Sequence, residues 1–226
     1  MKITNTDIWK AIWLDENRAS GTAADFLRSL LQAPKAPTSS KGRHKVAIVI
    51  GHNSKAPGAY APKPLNKSEY VFNGEVSDEL VRLAESDPNL QVKVFRRKSF
   101  KSYRAQISDV YKRVNAWKPN FTLELHFNYL SGAGRIEMLH YPRSSKGIEI
   151  AKVLLDETAK KFSGAKKLIS RRSTERGGLS LSLCSSPCVM TEPFDCSHFP
   201  HVQTAEEIGA SGLARIYYNS ISQISE

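Results

Sequence analysis

Four side chains that can bind a metal ion or carry a proton stand where the sequence pattern changes. His52 follows a short apolar run after a single glycine, and His126 ends a second apolar run. Glu69 stands where a loop gives way to a helical pattern, and Glu192 ends a third apolar run just before a proline. Short apolar runs of this kind are typical of buried strands. Because ligands of open parallel sheets bind beyond the carboxyl ends of the strands, we expect these side chains to meet at one sheet edge.

Two histidines and a carboxylate form a ligand set that suits zinc. Three protein ligands leave one position for water, which is the arrangement of a catalytic zinc rather than a structural one. We therefore predict one zinc ion per chain, held by His52, Glu69 and His126, with Glu192 as the carboxylate that accepts a proton from water. Each residue also has an ordinary explanation. A histidine at a strand end is commonly a hydrogen-bonded structural residue, and a glutamate that opens a helix complements the helix dipole.

The elements that must position these residues alternate between strand and helix. Apolar runs predict strands at 46–50, 92–95, 121–127, 135–141 and 188–192. Apolar residues at helical spacing predict helices at 72–83, 103–117, 148–162 and 204–221. Strands separated by helices indicate an α/β fold, with a largely parallel mixed sheet flanked by helices on both faces.

The start of the chain differs in composition from the rest. Residues 1–33 carry two apolar stripes at helical spacing and predict a short N-terminal helical appendage. Residues 34–42 are rich in proline, serine and lysine, which is typical of a linker. Residues 43–226 are predicted to form the catalytic domain. We expect His44, beside the linker, and basic clusters such as 96–98 to be solvated.

Composition limits the classes of protein that fit. The 226 residues are 40% hydrophobic and 24% charged, as in an ordinary globular protein. No apolar run approaches the roughly 20 residues of a membrane-spanning helix, and the first residues lack a signal-peptide pattern, so we expect synthesis in the cytoplasm and no membrane insertion. The net charge of +11 favours a polyanionic partner. No helix-turn-helix or finger signature points to nucleic acid. The odd number of cysteines, three, predicts reduced thiols.

Four segments of the chain resemble, in the same order, the zinc-dependent N-acetylmuramoyl-L-alanine amidases of the amidase type 3 family. The segments are residues 47–53 (AIVIGHN), 68–73 (SEYVFN), 123–128 (LELHFN) and 187–192 (PCVMTE). The resemblance covers about residues 45–224. It implies that His52, Glu69 and His126 bind zinc and that Glu192 is the catalytic glutamate. The implied substrate is peptidoglycan, cut at the amide between N-acetylmuramic acid and L-alanine.

Three further residues are candidates for roles beside the metal or the substrate. Glu124 stands where the family usually has a small hydroxyl residue, and it shares a strand face with His126. It could support a ligand, contact substrate or pair with an arginine. Asn128 closes the His-x-Asn motif of the same segment. Arg176 lies in a basic loop that could approach carboxylates of the stem peptide through forked hydrogen bonds, or could be a solvated loop residue.

Two other functions fit parts of the pattern. Another zinc peptidase that acts on wall peptides would use the same ligand set, and a non-catalytic basic module could bind the wall through charge alone. A wall-lytic enzyme without an export signal predicts a phage-type lysin that reaches the wall after release. The sequence predicts no particular oligomeric state.

Overall fold

The computed structural model describes residues 42–225, in which eight strands and five helices form one α/β arrangement. The strands are β1 (His44–Ile50), β2 (Tyr60–Ala61), β3 (Lys67–Ser68), β4 (Leu90–Arg96), β5 (Phe121–Leu125), β6 (Arg135–His140), β7 (Ala165–Ser170) and β8 (Cys188–Glu192). The helices are α1 (Glu69–Glu85), α2 (Tyr103–Trp117), α3 (Ser145–Thr158), α4 (Gly178–Leu183) and α5 (Phe199–Ser225).

The main sheet has six strands in the order β4-β1-β5-β8-β6-β7. All neighbouring strands run parallel except β6 and β8, which are antiparallel. The short strands β2 and β3 pair separately with each other. The predicted largely parallel mixed sheet is therefore confirmed, and the carboxyl ends of β1, β5 and β8 lie side by side at one edge.

Helices cover both faces of the sheet, as predicted. In β1, Val46 and Ile48 pack into one core with α1, α3 and α5, whereas Ala47 and Val49 face a second core with α2 and α4. Successive side chains of a strand point to opposite faces, so a strand with a core on each side must be apolar throughout. All four of these residues are fully buried.

Several boundaries differ from the predicted ones. Helix α3 begins three residues early, because the Ser144 hydroxyl accepts a hydrogen bond from the amide of Gly147 (3.1 Å) and caps the helix. Helix α5 is longer than predicted and is interrupted at Gly209, whose φ is 61°. Strand β7 and helix α4 were not predicted. The first is a half-exposed edge strand and the second has only six residues, so neither gives a clear apolar period.

The prediction that His44 is solvated was wrong. His44 is the first residue of β1, is half-buried, and its ring centroid lies 5.6 Å from that of Phe121. Strand β1 begins two residues before its predicted start at residue 46, because His44 pairs with Leu90 of β4. The predicted appendage (1–33) and nearly all of the predicted linker (34–42) lie outside the described residues, so the division of the chain stays a prediction. Among residues 42–225, no helix is long and apolar enough to cross a membrane.

Candidate metal centre and active site

The structure brings the two histidines and Glu69 together at the predicted sheet edge. His52 lies two residues beyond β1, His126 directly follows β5, and Glu69 is the first residue of α1. Glu192 is the last residue of β8, the strand next to β5. The backbone amide of His126, which follows β5, donates a hydrogen bond to the carbonyl of Thr191, the residue before Glu192 (3.0 Å). The candidate site thus depends on adjacent parallel strands that end at the same level.

Glu69 bridges the two imidazoles. Its Oε1 lies 2.6 Å from Nδ1 of His126, and its Oε2 lies 3.2 Å from Nε2 of His52. One ligand atom from each of the three residues lies within 4.8 Å of the others. Two imidazole nitrogens and one carboxylate oxygen at this spacing fit a zinc ion, and they are the donor set of catalytic zinc sites.

Two glycines make room for this cluster. A Cβ on Gly51 would lie 2.4 Å from Cε1 of His126, and a Cβ on Gly58 would lie 2.5 Å from Oε2 of Glu69. Gly58 has φ of 82°, which favours glycine in any case. His52 itself has φ of 66°, an uncommon conformation for a histidine. Proteins accept the cost of such strained backbone at functional sites, and here the ring of His52 lies beside Glu69.

The Glu69 carboxylate is held in the ionised form that binds metal. Backbone amides of Ala59 (3.1 Å) and Phe127 (3.3 Å) donate hydrogen bonds to its two oxygens. Burial opposes ionisation, but the charges and hydrogen bonds of His126 and His52 outweigh it and hold the pKa of Glu69 well below its usual range. Two backbone amides and two histidines thus orient the Glu69 carboxylate.

Glu124 contacts the other side of the His126 ring. Its Oε1 lies 3.1 Å from Nε2 of His126 and also pairs with Arg97, while its Oε2 accepts a hydrogen bond from the Tyr111 hydroxyl (2.5 Å). All four side chains are buried. Glu124 thus contacts a candidate ligand and pairs with an arginine, two of the three possibilities considered for it.

Arg97 and Tyr111 are the residues of this network that sequence reasoning missed. Arg97 was expected to be solvated with its basic cluster, but its side chain is only 3% exposed. It directly follows β4, so the signal was its position at the same sheet edge as the other candidates. Tyr111 fitted the apolar stripe of α2, and helical spacing alone does not reveal that its hydroxyl reaches a carboxylate.

Glu192 is buried, and one of its two carboxyl oxygens makes no hydrogen bond within the described range. Its Oε2 has no hydrogen-bond partner among the described residues. Burial raises the pKa of Glu192 to about 8. The charge of His126 lowers this pKa, and the negative charge of the nearby Glu69 raises it further. A free, buried carboxyl next to a ligand cluster is typical of a group that exchanges protons with a substrate or with water.

A cleft of about 820 Å³ opens over these residues. The side chains that line it include His52, Arg97, Tyr103, Arg104, His126, Arg176 and Glu192. Arg176 is exposed, faces this cleft and is close enough to favour the ionised form of Glu192. Among the described residues, Asn128 forms no hydrogen bond with His52, Glu69 or His126; its side-chain amide donates to Glu137 Oε2 (2.9 Å).

Asp195, in the loop after β8, holds the neighbouring loop in place. Its Oδ1 accepts hydrogen bonds from the amides of Leu130 and Ser197 (both 3.0 Å), and its Oδ2 accepts one from the amide of Gly134 (3.1 Å). The segment that follows His126 is thereby tied to the segment that follows Glu192. Nothing in the local sequence pattern singles out Asp195, because the amides of Leu130 and Gly134 that it holds are 65 and 61 positions away.

An open, largely parallel sheet with a His–Glu–His cluster and a separate buried glutamate at one edge is the arrangement of a metal-dependent hydrolase. The sequence profile of the family described as N-acetylmuramoyl-L-alanine amidase (amidase type 3) matches residues 46–200. This match covers more than half of the chain, which therefore belongs to that family of hydrolases, enzymes that degrade the peptidoglycan of the cell wall. The predicted resemblance is confirmed.

Solved structures show the same fold. The catalytic domain of the CD27L endolysin targeting Clostridia difficile has a TM-score of 0.67 and 24% identity, with 80% of this chain and 98% of that chain covered. An N-acetylmuramoyl-L-alanine amidase from Clostridium difficile 630 has a TM-score of 0.67 and 15% identity, with 81% and 97% covered. The catalytic domain of CwlV from Bacillus (Paenibacillus) polymyxa var. colistinus has a TM-score of 0.63 and 18% identity, with 79% and 97% covered. Comparison with curated protein sequences gave no significant match.

Proposed function

We propose that this chain hydrolyses the amide between N-acetylmuramic acid and L-alanine with one zinc ion held by His52, Glu69 and His126. The observation that carries the proposal is the cluster itself: two imidazole nitrogens and a carboxylate oxygen within 4.8 Å, at the base of a cleft. The geometry offers His52 Nε2 and His126 Nδ1 as the ligand nitrogens, because these atoms face Glu69. When bound, the zinc supplies a Lewis acid that polarises the scissile carbonyl and acidifies water.

Glu192 is proposed to carry the proton. It accepts a proton from the attacking water and delivers it to the nitrogen of the departing L-alanine. Its position suits this role, since Oε2 is buried without a hydrogen-bond partner among residues 42–225 and the side chain borders the cleft. It does not bridge the histidines as Glu69 does, so it stays available to the substrate.

Glu124 is proposed to position His126. A carboxylate that accepts from one ring nitrogen places the proton there and leaves the other nitrogen free to bind metal. With the proton on Nε2, 3.1 Å from Glu124, Nδ1 would be free to bind the metal that the proposal places between it and Glu69. Arg97 and Tyr111 hold the Glu124 carboxylate in turn. The small hydroxyl residue that the family usually has at this position would provide no such charged contact.

We expect Glu124→Gln to lower zinc affinity by roughly 10- to 100-fold, the usual cost of a lost outer contact to a ligand. The measurement is competition for zinc against a chromogenic chelator, with a thermal melt to confirm that the variant is folded. Glu79→Gln is the matched control, because Glu79 is a half-exposed residue of α1 that lies outside the cluster and, within residues 42–225, pairs only with Arg82. Unchanged affinity in Glu124→Gln would mean that Glu124 serves only to neutralise the buried Arg97.

Arg176 is proposed to contact the substrate, and Asn128 is proposed to support the loop beside the site. Arg176 lines the cleft beside Glu192 and can reach a carboxylate of the stem peptide. Asn128 is buried and its role is to orient the loop and Glu137 next to the site. The proposed place of action is the cell wall, and the similarity to an endolysin catalytic domain favours release during phage-type lysis.

The bond cut in purified peptidoglycan distinguishes this function from its rivals. We expect digestion to release new amino-terminal L-alanine, with no new reducing sugar ends. A zinc carboxypeptidase on a similar sheet would instead release a single carboxyl-terminal amino acid and leave the sugar–peptide bond intact. A pure binding module would sediment with the wall and release nothing. Either of the last two results would contradict the proposed reaction.

A further inference from the structure

A second, smaller cavity lies beside Glu192, towards β6 and β7. Its volume is about 140 Å³, and it shares Arg176, Met190 and Glu192 with the large cleft. Leu139 and Ile169 form its apolar wall together with Met190. Because Glu192 borders both spaces, a molecule in the cleft that touches this carboxyl can extend into the smaller cavity.

The cavity carries an excess of positive charge. Three arginines line it, namely Arg135, Arg171 and Arg176. Arg135 pairs with Glu137 (3.0 Å), whose second oxygen accepts from the Asn128 amide. Arg171 and Arg176 form no ion pair with any residue of the described range 42–225. Two acidic residues also line the cavity: Glu137 is paired with Arg135, and Glu192 is close enough to Arg176 for their charges to interact. Arg171 is therefore the guanidinium group of the cavity that has no acidic partner among the described residues.

Arg171 also has an unsatisfied donor. Its Nε is buried and has no hydrogen-bond partner among the described residues. A buried donor left without an acceptor destabilises the folded state, and more strongly when the group is charged. The planar guanidinium presents its donors as a fork that matches the two oxygens of a carboxylate. Arg171 thus lacks an acceptor of the kind that an anionic ligand would supply.

The position of the cavity relative to the reaction indicates which ligand this is. Under the proposed function, Glu192 protonates the nitrogen of the departing L-alanine. The L-alanine end of the stem peptide therefore lies next to Glu192. The remainder of the cleft, bordered by Tyr103 and Arg104, is left for the sugar side. The space next to Glu192 is therefore placed to receive the residue that follows L-alanine.

We propose that this cavity is a carboxylate subsite for the stem peptide, with Arg171 as its principal contact. The proposal rests on the proposed function for the direction in which the substrate lies. It makes the enzyme selective for stem peptides whose second residue carries a free α-carboxylate rather than a carboxamide. A carboxamide has one acceptor oxygen and an NH2 group that only donates. It cannot accept both hydrogen bonds of the guanidinium group, and its NH2 group would face the N–H donors of the arginine.

The test measures peptide binding without any bond being broken. Isothermal titration compares L-alanyl-γ-D-glutamate, whose α-carboxylate is free, with the same peptide as its α-carboxamide. For the parent protein we expect the acid to bind at least about 10-fold more tightly than the amide, as for a charge-assisted forked contact. Arg171→Gln should bring the ratio close to one. The matched control is Arg172→Gln, an exposed neighbour that does not line the cavity, which should keep the parental ratio.

Arg171→Lys keeps the charge but removes the fork, and it should give an intermediate ratio. It also keeps the proposal testable if Arg171→Gln fails to fold, which a thermal melt would reveal. Equal affinity for acid and amide in the parent, or a parental ratio in both Arg171 variants, would overturn the subsite. Failure of the proposed function would look different: the parent would then release no L-alanine termini from peptidoglycan, whatever its preference between the two peptides.

Discussion

Replacement of Glu192 by glutamine should lower the rate of peptidoglycan hydrolysis by at least about 10²-fold, the usual cost of lost general-base catalysis. Glutamine keeps the shape of the side chain at the end of β8 but cannot accept a proton. Because Glu192 is not one of the three clustered ligands, the variant should retain one zinc per chain. Its melting temperature with zinc should stay close to that of the parent protein.

The same variant should show a distinct effect on stability when zinc is removed. The pKa of Glu192 rises from 4.5 to about 8 in the folded protein. Below pH 4.5 the carboxyl is neutral in both the folded and unfolded states, so burial costs little. Between pH 4.5 and pH 8 the unfolded chain releases the proton and the folded chain keeps it, so the folded state loses stability as the pH rises. Glutamine remains neutral throughout.

Metal-free Glu192→Gln should therefore be more stable than the metal-free parent at pH 8, by on the order of a few kcal/mol, and the gap should shrink towards pH 5. Denaturant unfolding at both pH values measures it. Glu206→Gln, on an exposed position of α5, is the control and should show no such trend. If Glu192→Gln loses its zinc, Glu192 is a ligand. If it keeps both zinc and full activity, the proton carrier is another residue, and Glu124 is the first to test.

Replacement of His126 by alanine should abolish stoichiometric zinc binding and the hydrolysis of peptidoglycan. This histidine supplies one of three ligands, and its loss also leaves the buried carboxylates of Glu69 and Glu124 without their shared imidazole. A ligand that binds only the folded state stabilises it, so loss of zinc should lower the melting temperature as well.

A chelator separates the metal effect from the packing effect. Treatment with a chelator should lower the melting temperature of the parent protein but leave that of His126→Ala unchanged, because the variant has no metal to lose. His198→Ala removes an imidazole that lies outside the cluster and serves as the control. A His126→Ala variant that still binds one zinc per chain, or a parent whose melting temperature ignores the chelator, would contradict the ligand assignment.

The strand ends could be predicted from sequence because each depends on a local signal. The apolar run of β1 followed by Gly51 and His52, and the run of β5 before His126, both identify a buried strand and the residue that leaves it. Parallel strands end at one edge, so the meeting of these residues followed from the fold class. The same reasoning applies to Glu192 at the end of β8.

The supporting residues could not be predicted in this way because their partners are distant in sequence. Arg97 pairs with Glu124 across 27 positions, and nothing in the local pattern distinguishes it from its solvated neighbours in the basic cluster. Tyr111 has the spacing of a core residue, which it is, and only the fold shows that its hydroxyl ends at a carboxylate. The arginines of the small cavity come from β6 and two positions of one loop, so their proximity is a property of the fold alone.

An anomalous difference map at the zinc absorption edge, from crystals of the protein grown with zinc, would locate the metal and its ligands directly. We expect one strong peak per chain, in contact with Nε2 of His52, Nδ1 of His126 and a carboxylate oxygen of Glu69, with Glu192 outside the ligand set of the zinc. A peak at another place, or a map in which any one of the three side chains turns away from the metal, would contradict this expectation.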